Sequence, residues 1–260
     1  RHRLVNATLD TLVAHQTLDE GLADFLTAAV RAGLRIVVSG EWGAGKTTLL
    51  RALCHEIPPF EHVVTIEDDR ELGLHTWPAR HPLVTSMEAR LPNAEGVGAI
   101  TVEQLLIQAL RHSPRRVIVG EVRGGEVTTL LRALSTGAGG LCTLHAEAGH
   151  GVFDRIANMA QLAVPPLPVE SAYRWTASAV DLIVHVRRRD RVEGGRSVRE
   201  RFITQVLEVG QVGDAGRPDA TELYGPAPHT GHARPGFPPS PRLRELLRPH
   251  GLDLDAWAGA

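Results

Sequence analysis

The chain has 260 residues and a net charge of −2, with 43% hydrophobic and 22% charged residues. This size and composition are typical of one large globular domain, or of one domain with a small appendage. The near-neutral charge excludes a global basic field for nucleic acid or anionic membranes, and no apolar run approaches the roughly 18 residues of a membrane span. The chain begins with Arg1 rather than Met and shows no signal peptide, so we expect a piece of a longer protein.

The cysteine and lysine contents are both informative. Cys54 and Cys142 lie in apolar stretches, which favours two buried thiols in a reducing compartment over a disulfide framework. Lys46 is the only lysine among 28 basic residues. A compact ammonium is thus kept at one position in a chain that otherwise uses arginine.

The predicted elements alternate between helices and strands along the first 162 residues. A capping box at Thr17–Glu20 predicts a helix that ends at Gly33. The further predicted helices are Thr47–Glu56, one opened by a second capping box at Thr101–Gln104, one after Gly124-Gly125, and Val152–Leu162. The predicted strands are Arg35–Ser39, Val63–Ile66, Leu83–Glu88, Val117–Val119 and Leu141–Leu144. Apolar strands alternating with helices predict an α/β fold, a mostly parallel sheet with helices on both faces.

The remainder of the chain follows a different pattern after the prolines at 165, 166 and 168. A helix is predicted at Ser171–Ala179, followed by strands at Leu182–Val186 and Phe202–Val209, which form a small antiparallel extension. The polar segment Asp190–Arg199 is predicted to be the turn between these strands. We divide the chain into a domain at 1–209 and a Gly/Pro-rich extension at 210–260. Residues 210–240 are predicted to be a loop or mobile linker, and Arg242–Leu247 a short terminal helix.

A phosphate-binding motif lies between the first predicted strand and the helix after it. Gly40-Glu-Trp-Gly-Ala-Gly-Lys-Thr47 fits G-x-x-x-x-G-K-[ST] in full. We predict that Lys46 reaches the β- and γ-phosphates and that the Thr47 hydroxyl binds Mg²⁺. The predicted nucleotide-binding residues of this loop are Gly40, Gly43, Ala44, Gly45, Lys46, Thr47 and Thr48. With no second lysine, the guanine-reading motif [NT]-K-x-D cannot occur, so ATP, or a site that tolerates different bases, is favoured.

Acidic residues and a histidine follow three other predicted strands. They are the Glu67-Asp68-Asp69 triplet, Glu121 and His145. Because ligands bind at the carboxyl ends of parallel strands, we expect these groups to face the phosphates. The alternatives are a solvated acidic turn, an exposed loop end and a core histidine.

Two further patterns have mainly structural interpretations. Cys142-x-x-His145-Ala-Glu147-x-x-His150 resembles zinc-ligand spacing, but residues three apart on a strand point to opposite faces. The basic run Arg187–Arg189 with Arg191 predicts a solvated hairpin tip, and a contact with nucleic acid or a partner is the alternative.

Taken together, the motifs resemble those of the type II/type IV secretion ATPase family, and most of all its Tad/Flp pilus-assembly branch. The residues that carry the resemblance, in the family's order, are Thr65–Leu72 (like the Asp box), Met87–Asn93, Leu110–Gly124 (like the Walker B region) and Ser135–Ala146 (like the His box). The resemblance implies a RecA-like P-loop NTPase in a hexameric ring, with ATP and Mg²⁺ near subunit boundaries. It also implies an N-terminal domain ahead of residue 1.

The resemblance further implies roles for single residues. Glu121, Glu67 and His145 would be catalytic, with Glu67 and Glu121 joining Thr47 at the metal. Arg90 and Arg123 match family arginines that touch phosphate or a neighbouring subunit.

Two positions depart from common patterns. Gly120 stands where many P-loop proteins place an aspartate, as is usual in this family. Ala138 replaces the first histidine of the His box, which puts any role of a histidine pair in doubt.

The predicted function is that of an ATP-hydrolysing motor subunit of a hexameric ring that powers type II/IV secretion or Tad-type pilus assembly. Its implied partners are identical subunits and inner-membrane platform proteins, without nucleic acid. Its implied location is cytoplasmic, peripheral to the inner membrane. The alternatives are a nucleotide-dependent scaffold with little turnover, supported by Ala138, and a small-molecule kinase, for which no acceptor signature is found.

Overall fold

The computed structural model describes residues 7–214, 216–252, 254 and 257. The strands are β1 Arg35–Gly40, β2 Val63–Glu67, β3 Val84–Glu88, β4 Arg116–Val119, β5 Gly139–Leu144, β6 Leu182–Glu193, β7 Arg196–Val212, β8 Pro218–Pro226 and β9 Ala233–Pro235. The helices are α1 Leu9–Ala14, α2 Glu20–Arg31, α3 Lys46–His55, α4 Val102–Ala109, α5 Val127–Ser135, α6 Gly151–Ala160, α7 Val169–Ala179 and α8 Pro241–Leu247.

Within these residues, the strands form one sheet in the order β3-β2-β4-β5-β1-β6-β7-β8-β9. In this spatial order, neighbouring strands from β3 across to β6 pair in parallel, and neighbouring strands from β6 across to β9 pair in antiparallel fashion. Helices α1–α3 and α8 pack on one face of the sheet, and α4–α7 pack on the other. Strands β2, β4 and β5 are buried along their whole length, which is why they read as continuous apolar runs. The predicted α/β class, with its antiparallel extension, is confirmed.

The ends of two helices test the predicted capping boxes. The box at Thr101 is confirmed, because its hydroxyl accepts from the Gln104 amide and the Gln104 side chain accepts from the Thr101 amide. The box at Thr17 is wrong. Helix α2 begins at Glu20, and the Asp19 carboxylate caps it by accepting from the Leu22 amide at 2.7 Å. An ionised carboxylate at this position also interacts favourably with the helix dipole.

The predicted polar turn at Asp190–Arg199 is also wrong. Strands β6 and β7 stay paired out to Glu193 and Arg196, and only Gly194-Gly195 form the turn. Both glycines have positive φ, 54° and 77°, which a two-residue hairpin turn of this kind requires. Charged residues along the hairpin are compatible with strands, because this outer part of the ladder is mostly exposed to solvent.

The prediction of a loop or mobile linker at 210–240 is wrong as well. Strands β8 and β9 lie in this region and extend the sheet, and the boundary predicted after residue 209 falls inside β7. The predicted terminal helix is confirmed as α8. Arg242 at its start binds the buried Asp181 with 2.8 Å between Nη2 and Oδ1. Helix α8 is therefore packed onto the sheet.

Two predictions from composition can also be compared with the structure. Cys54 and Cys142 are free and buried, as predicted, and burial raises the pKa of the Cys142 thiol to about 12. Among the helices of the described residues, none combines the length and apolar character needed to cross a bilayer.

Candidate active site

The strand order brings the predicted functional segments to one edge of the sheet. Strands β2, β4, β5 and β1 are consecutive neighbours and parallel. Their carboxyl ends carry Glu67, Glu121, His145 and the glycine-rich loop, in that spatial order. An open parallel sheet binds its ligands at this edge.

The glycine-rich loop turns sharply from β1 into α3. Gly45, at the N-cap of α3, has φ 99°, a left-handed conformation that glycine adopts without strain. Gly40 pairs with Val186 on β6, and a side chain at position 40 would run into the Val186 carbonyl oxygen. No side chain caps α3, so the amides of its first turn, including those of Lys46, Thr47 and Thr48, present the positive end of the helix. This is the arrangement by which helix N-termini bind phosphate.

Lys46 is buried at the centre of the site, with 7% of its surface exposed. Its ammonium donates to the carbonyl oxygens of Gly40 at 3.1 Å and Glu41 at 3.0 Å. The same Nζ lies 3.1 Å from Nδ1 of His145. Burial lowers the pKa of Lys46 to about 8, although the negative charge of Glu121 opposes this shift.

Glu121 and His145 are in direct contact beside Lys46. Oε1 of Glu121 lies 2.7 Å from Nε2 of His145, and Oε2 accepts a hydrogen bond from Arg123 at 2.8 Å. Burial acts to raise the pKa of Glu121, but Arg123, His145 and Lys46 together hold it below its ordinary value. Glu121 is therefore ionised at neutral pH. Its Oε1 is buried, and among the described residues the close contact with His145 Nε2 does not have the geometry of a regular hydrogen bond.

His145 is held from several sides. Burial and the charge of Lys46 lower its pKa, so the imidazole is neutral at neutral pH. The indole ring of Trp42, from the glycine-rich loop, stacks on it with 4.6 Å between ring centroids and 24° between planes. The loop and the end of β5 are thus joined through an aromatic contact.

Glu67 is also buried, with 3% of its surface exposed, at the end of β2. Its Oε1 accepts from the amides of Glu71 at 2.9 Å and Leu72 at 2.8 Å. Burial raises the pKa of Glu67, although these two hydrogen bonds oppose the shift. A Cβ at Gly120 would lie 3.1 Å from Glu67 Cγ, so an aspartate at position 120 would press on Glu67. Gly120, which immediately precedes Glu121, therefore leaves room for the Glu67 side chain.

The two predicted arginines lie in different places. Arg123 is part of the cluster, because it binds Glu121 and lies 3.4 Å from Asp68. Arg90 follows β3 and donates to the Gly98 carbonyl at 2.7 Å. Strand β3 is the edge strand, four strand spacings from β1, or about 19 Å. The structure does not bring Arg90 to the glycine-rich loop of its own chain.

Ala138 lies at the far end of β5 from His145. The two residues flank this strand and are separated by roughly 23 Å of extended chain. The replacement of histidine by alanine at 138 therefore removes no group from the cluster around Lys46.

The site has no ready-made metal cage. Across the described residues, no three His, Cys, Asp or Glu side chains cluster in a way that could hold a metal ion, and the Cys142–His150 spacing forms none. Mg²⁺ is commonly held by one or two protein oxygens together with substrate phosphates. The residues present fit that mode, because Thr47 lies in the first turn of α3 and Glu121 offers an ionised carboxylate at the same edge of the sheet.

Three residues that touch the glycine-rich loop were missed from the sequence. Trp42 lies within the motif at a position that any residue can occupy. Arg188 of β6 donates to the Trp42 carbonyl at 3.2 Å, and Arg201 of β7 donates to the Gly43 carbonyl at 2.9 Å. The only sequence signal for these contacts was the basic run at Arg187–Arg189, which was interpreted as a solvated tip.

Comparisons with known proteins agree with this geometry. Residues 3–208 match the family described as Type II/IV secretion system protein. A Mycobacterium tuberculosis protein named for conjugal transfer, Rv3659c, is 41% identical over 181 residues, which cover 69% of this chain and 49% of that protein. The type IV secretion system protein PtlH of Bordetella pertussis is 38% identical over 183 residues, or 69% of this chain and 52% of that protein. The chain thus spans about half the length of the curated relatives it matches.

Solved structures show the same fold. The VirB11 ATPase of the Brucella suis type IV secretion system, crystallised with sulphate, superposes with a TM-score of 0.60 at 31% identity, covering 77% of this chain and 54% of that one. The Legionella pneumophila ATPase DotB, at 19% identity and a TM-score of 0.55 over 78% of this chain and 51% of that one, shows the fold alone. The predicted RecA-like fold is confirmed.

Proposed function

The chain belongs to the family of type II/IV secretion system proteins, and on that premise we propose that it is an ATP-hydrolysing motor domain. The observation that carries the proposal is the cluster at the carboxyl edge of the sheet. There the buried ammonium of Lys46, at the uncapped N-terminus of α3, contacts His145, and His145 contacts the ionised carboxylate of Glu121. A phosphate site is thus placed next to a general base or water-orienting group.

The residues of the cluster have distinct roles in this proposal. The α3 amides and Lys46 bind the terminal phosphates and neutralise the charge that develops on them. Thr47 and the phosphates would hold Mg²⁺, with Glu67 and Glu121 near the ion, and the ion would supply further charge neutralisation. In this proposal Glu121 accepts a hydrogen bond from the attacking water and orients it in line with the phosphate.

His145 connects the two halves of the site. Its neutral ring contacts Lys46 through Nδ1 and Glu121 through Nε2. A nucleotide that takes the Lys46 ammonium competes with His145 for it, so binding shifts the position of His145 against Glu121. This is how occupancy of the loop is communicated to the water-orienting carboxylate.

The wider assignment rests on the family and on the position of Arg90. We propose that the chain works in a homo-hexamer, where Arg90, remote from its own loop, contacts the nucleotide of a neighbouring subunit. Arg123 contributes from within the same chain. The ring then acts on inner-membrane platform proteins of a secretion system or a Tad-type pilus, from the cytoplasmic side of the inner membrane.

A nucleotide-dependent scaffold was the alternative, and Ala138 was its only support. Because Ala138 lies at the opposite end of β5 from the cluster, no observation in the structure favours the scaffold.

The proposal is tested by steady-state phosphate release from the full-length protein and its Glu121→Gln variant. The amide keeps the size of the side chain but is a poor acceptor for a water proton, so we expect turnover to fall at least about a hundredfold. Nucleotide affinity, measured separately, should stay within a few fold. Equal phosphate release by the two proteins would contradict the proposed hydrolysis.

A further inference from the structure

Cationic side chains bind four consecutive carbonyl oxygens of the glycine-rich loop. Lys46 binds those of Gly40 and Glu41. The next two, of Trp42 and Gly43, accept from arginines that lie about 150 residues further along the chain. Because the N–H of a trans peptide points opposite to its C=O, these bonds fix the directions of the amides at 41–44. An anion-binding loop depends on the directions of its successive backbone N–H groups, so contacts that fix these peptides bear on phosphate binding.

The two arginines come from facing positions of one hairpin. Arg188 on β6 and Arg201 on β7 are direct partners in the antiparallel ladder. The guanidinium of Arg188 reaches the Trp42 carbonyl at 3.2 Å, and Nε of Arg201 reaches the Gly43 carbonyl at 2.9 Å. The β6–β7 hairpin therefore braces the middle of the loop.

Two of the loop glycines make room for this contact. A Cβ on Gly43 would lie 2.8 Å from Nη1 of Arg188, and one on Gly45 would lie 3.1 Å from Cδ of Arg201. Both glycines also have positive φ. The lack of side chains at Gly43 and Gly45 therefore makes space for the two arginines, in addition to allowing the turn geometry of the motif.

The pairing of Arg188 with Arg201 is electrostatically unfavourable. Like charges placed directly across an antiparallel ladder destabilise it. Burial and the charges of Arg199 and Arg188 lower the pKa of Arg201, and Asp190, 3.4 Å from Arg188, offsets only part of this repulsion. A bound polyphosphate would relieve it. Because the two arginines contact a phosphate-binding loop and their proximity is unfavourable, we interpret the pair as serving phosphate binding rather than folding.

We propose that Arg188 and Arg201 form an arginine clamp that holds residues 42–43 in the phosphate-binding conformation and raises affinity for nucleotide polyphosphates. The inference rests on the proposed function. The clamp residues are positioning residues, since their contacts are with loop carbonyls and not with reacting atoms. They should therefore affect binding and leave the chemical step unchanged.

The test compares five variants of the full-length protein: Arg188→Ala, Arg201→Ala, the double variant, Arg201→Lys and Arg189→Ala. The last is a matched control, because Arg189 lies in the same hairpin but binds Glu200 and the Thr230 carbonyl instead of the loop. Dissociation constants for a fluorescent ADP analogue and for ATP with Mg²⁺ are measured together with kcat and KM.

We expect each single substitution to weaken binding about fivefold and the double one about thirtyfold, because each removes a charge-assisted hydrogen bond. The value of kcat at saturating ATP should stay within twofold, and Arg189→Ala should bind like the wild type. Arg201→Lys, which restores a cationic donor, should recover most of the affinity. Wild-type affinity in the double variant, or a loss as large in Arg189→Ala, would overturn the inference.

A second readout needs no nucleotide. Amide hydrogen exchange of the peptide spanning 40–45 should be at least several fold faster in the double variant than in the wild type, and unchanged in Arg189→Ala. Unchanged exchange in the double variant would show that the clamp does not hold the loop. A wild type that binds no nucleotide would refute the proposed function, and the exchange rates would then decide by themselves whether the clamp exists.

Discussion

Nucleotide affinity should depend on the proton of Lys46. In the structure, burial lowers the pKa of Lys46 to about 8, against an ordinary 10.5. Bound phosphates favour the ammonium and return the pKa at least to its ordinary range. Below pH 8 the empty protein already carries the proton, so affinity is independent of this group. Above pH 8 binding must take up a proton, and affinity falls about tenfold for each pH unit.

The size of the effect follows from the shift. At pH 9.5 the expected loss is about thirtyfold, or about 2 kcal/mol of binding free energy. The assay is equilibrium titration with a fluorescent ADP analogue at fixed Mg²⁺ and ionic strength, from pH 7.5 to 9.5. Lys46→Arg is the control, because a guanidinium does not titrate in this range and its weaker binding should be flat with pH. Equal wild-type affinity at pH 8 and pH 9.5 would refute the reasoning.

Two further predictions concern the surroundings of the loop. Glu67→Gln should lower kcat more than it changes nucleotide affinity, since Glu67 lies beside Gly120 rather than against Lys46. Phosphate release and nucleotide binding, measured in parallel, would show this difference. A loss of affinity with unchanged kcat would contradict the prediction. Gly40→Ala should lower the free energy of unfolding by about 1–3 kcal/mol, because its methyl group meets the Val186 carbonyl oxygen. Urea denaturation measures this, and wild-type stability would argue against the close approach.

The sequence predicted the central part of the fold because of how those strands are buried. Strands β1, β2, β4 and β5 have helices on both faces, and their apolar runs are therefore continuous. The outer strands lack this signal. Strand β8 alternates in burial only over its first five residues and carries proline at both ends, so its sequence resembles that of a loop. The arms of the β6–β7 hairpin are charged because water covers them, and only the Gly194-Gly195 pair marked their turn.

The site was predictable to the extent that it depends on strand ends. Glu121 and His145 each follow an apolar strand, and the carboxyl-edge rule placed them near the loop. The contact of Lys46 with His145 spans 99 positions and needs β5 to lie beside β1, a neighbour relation that no local pattern contains. The arginine clamp depends on the register between β6 and β7, which no local sequence pattern contains either.

The central claim is that the loop from Gly40 to Thr47, with Lys46 at its centre, binds the phosphates of a nucleotide. Calorimetric titration of the full-length protein with ATP and Mg²⁺, wild type against Lys46→Ala, tests it most directly. We expect saturable binding in the wild type and a loss of at least about a hundredfold in affinity in the variant, which lacks the buried cationic partner of the phosphates. The same affinity in both proteins would contradict the account.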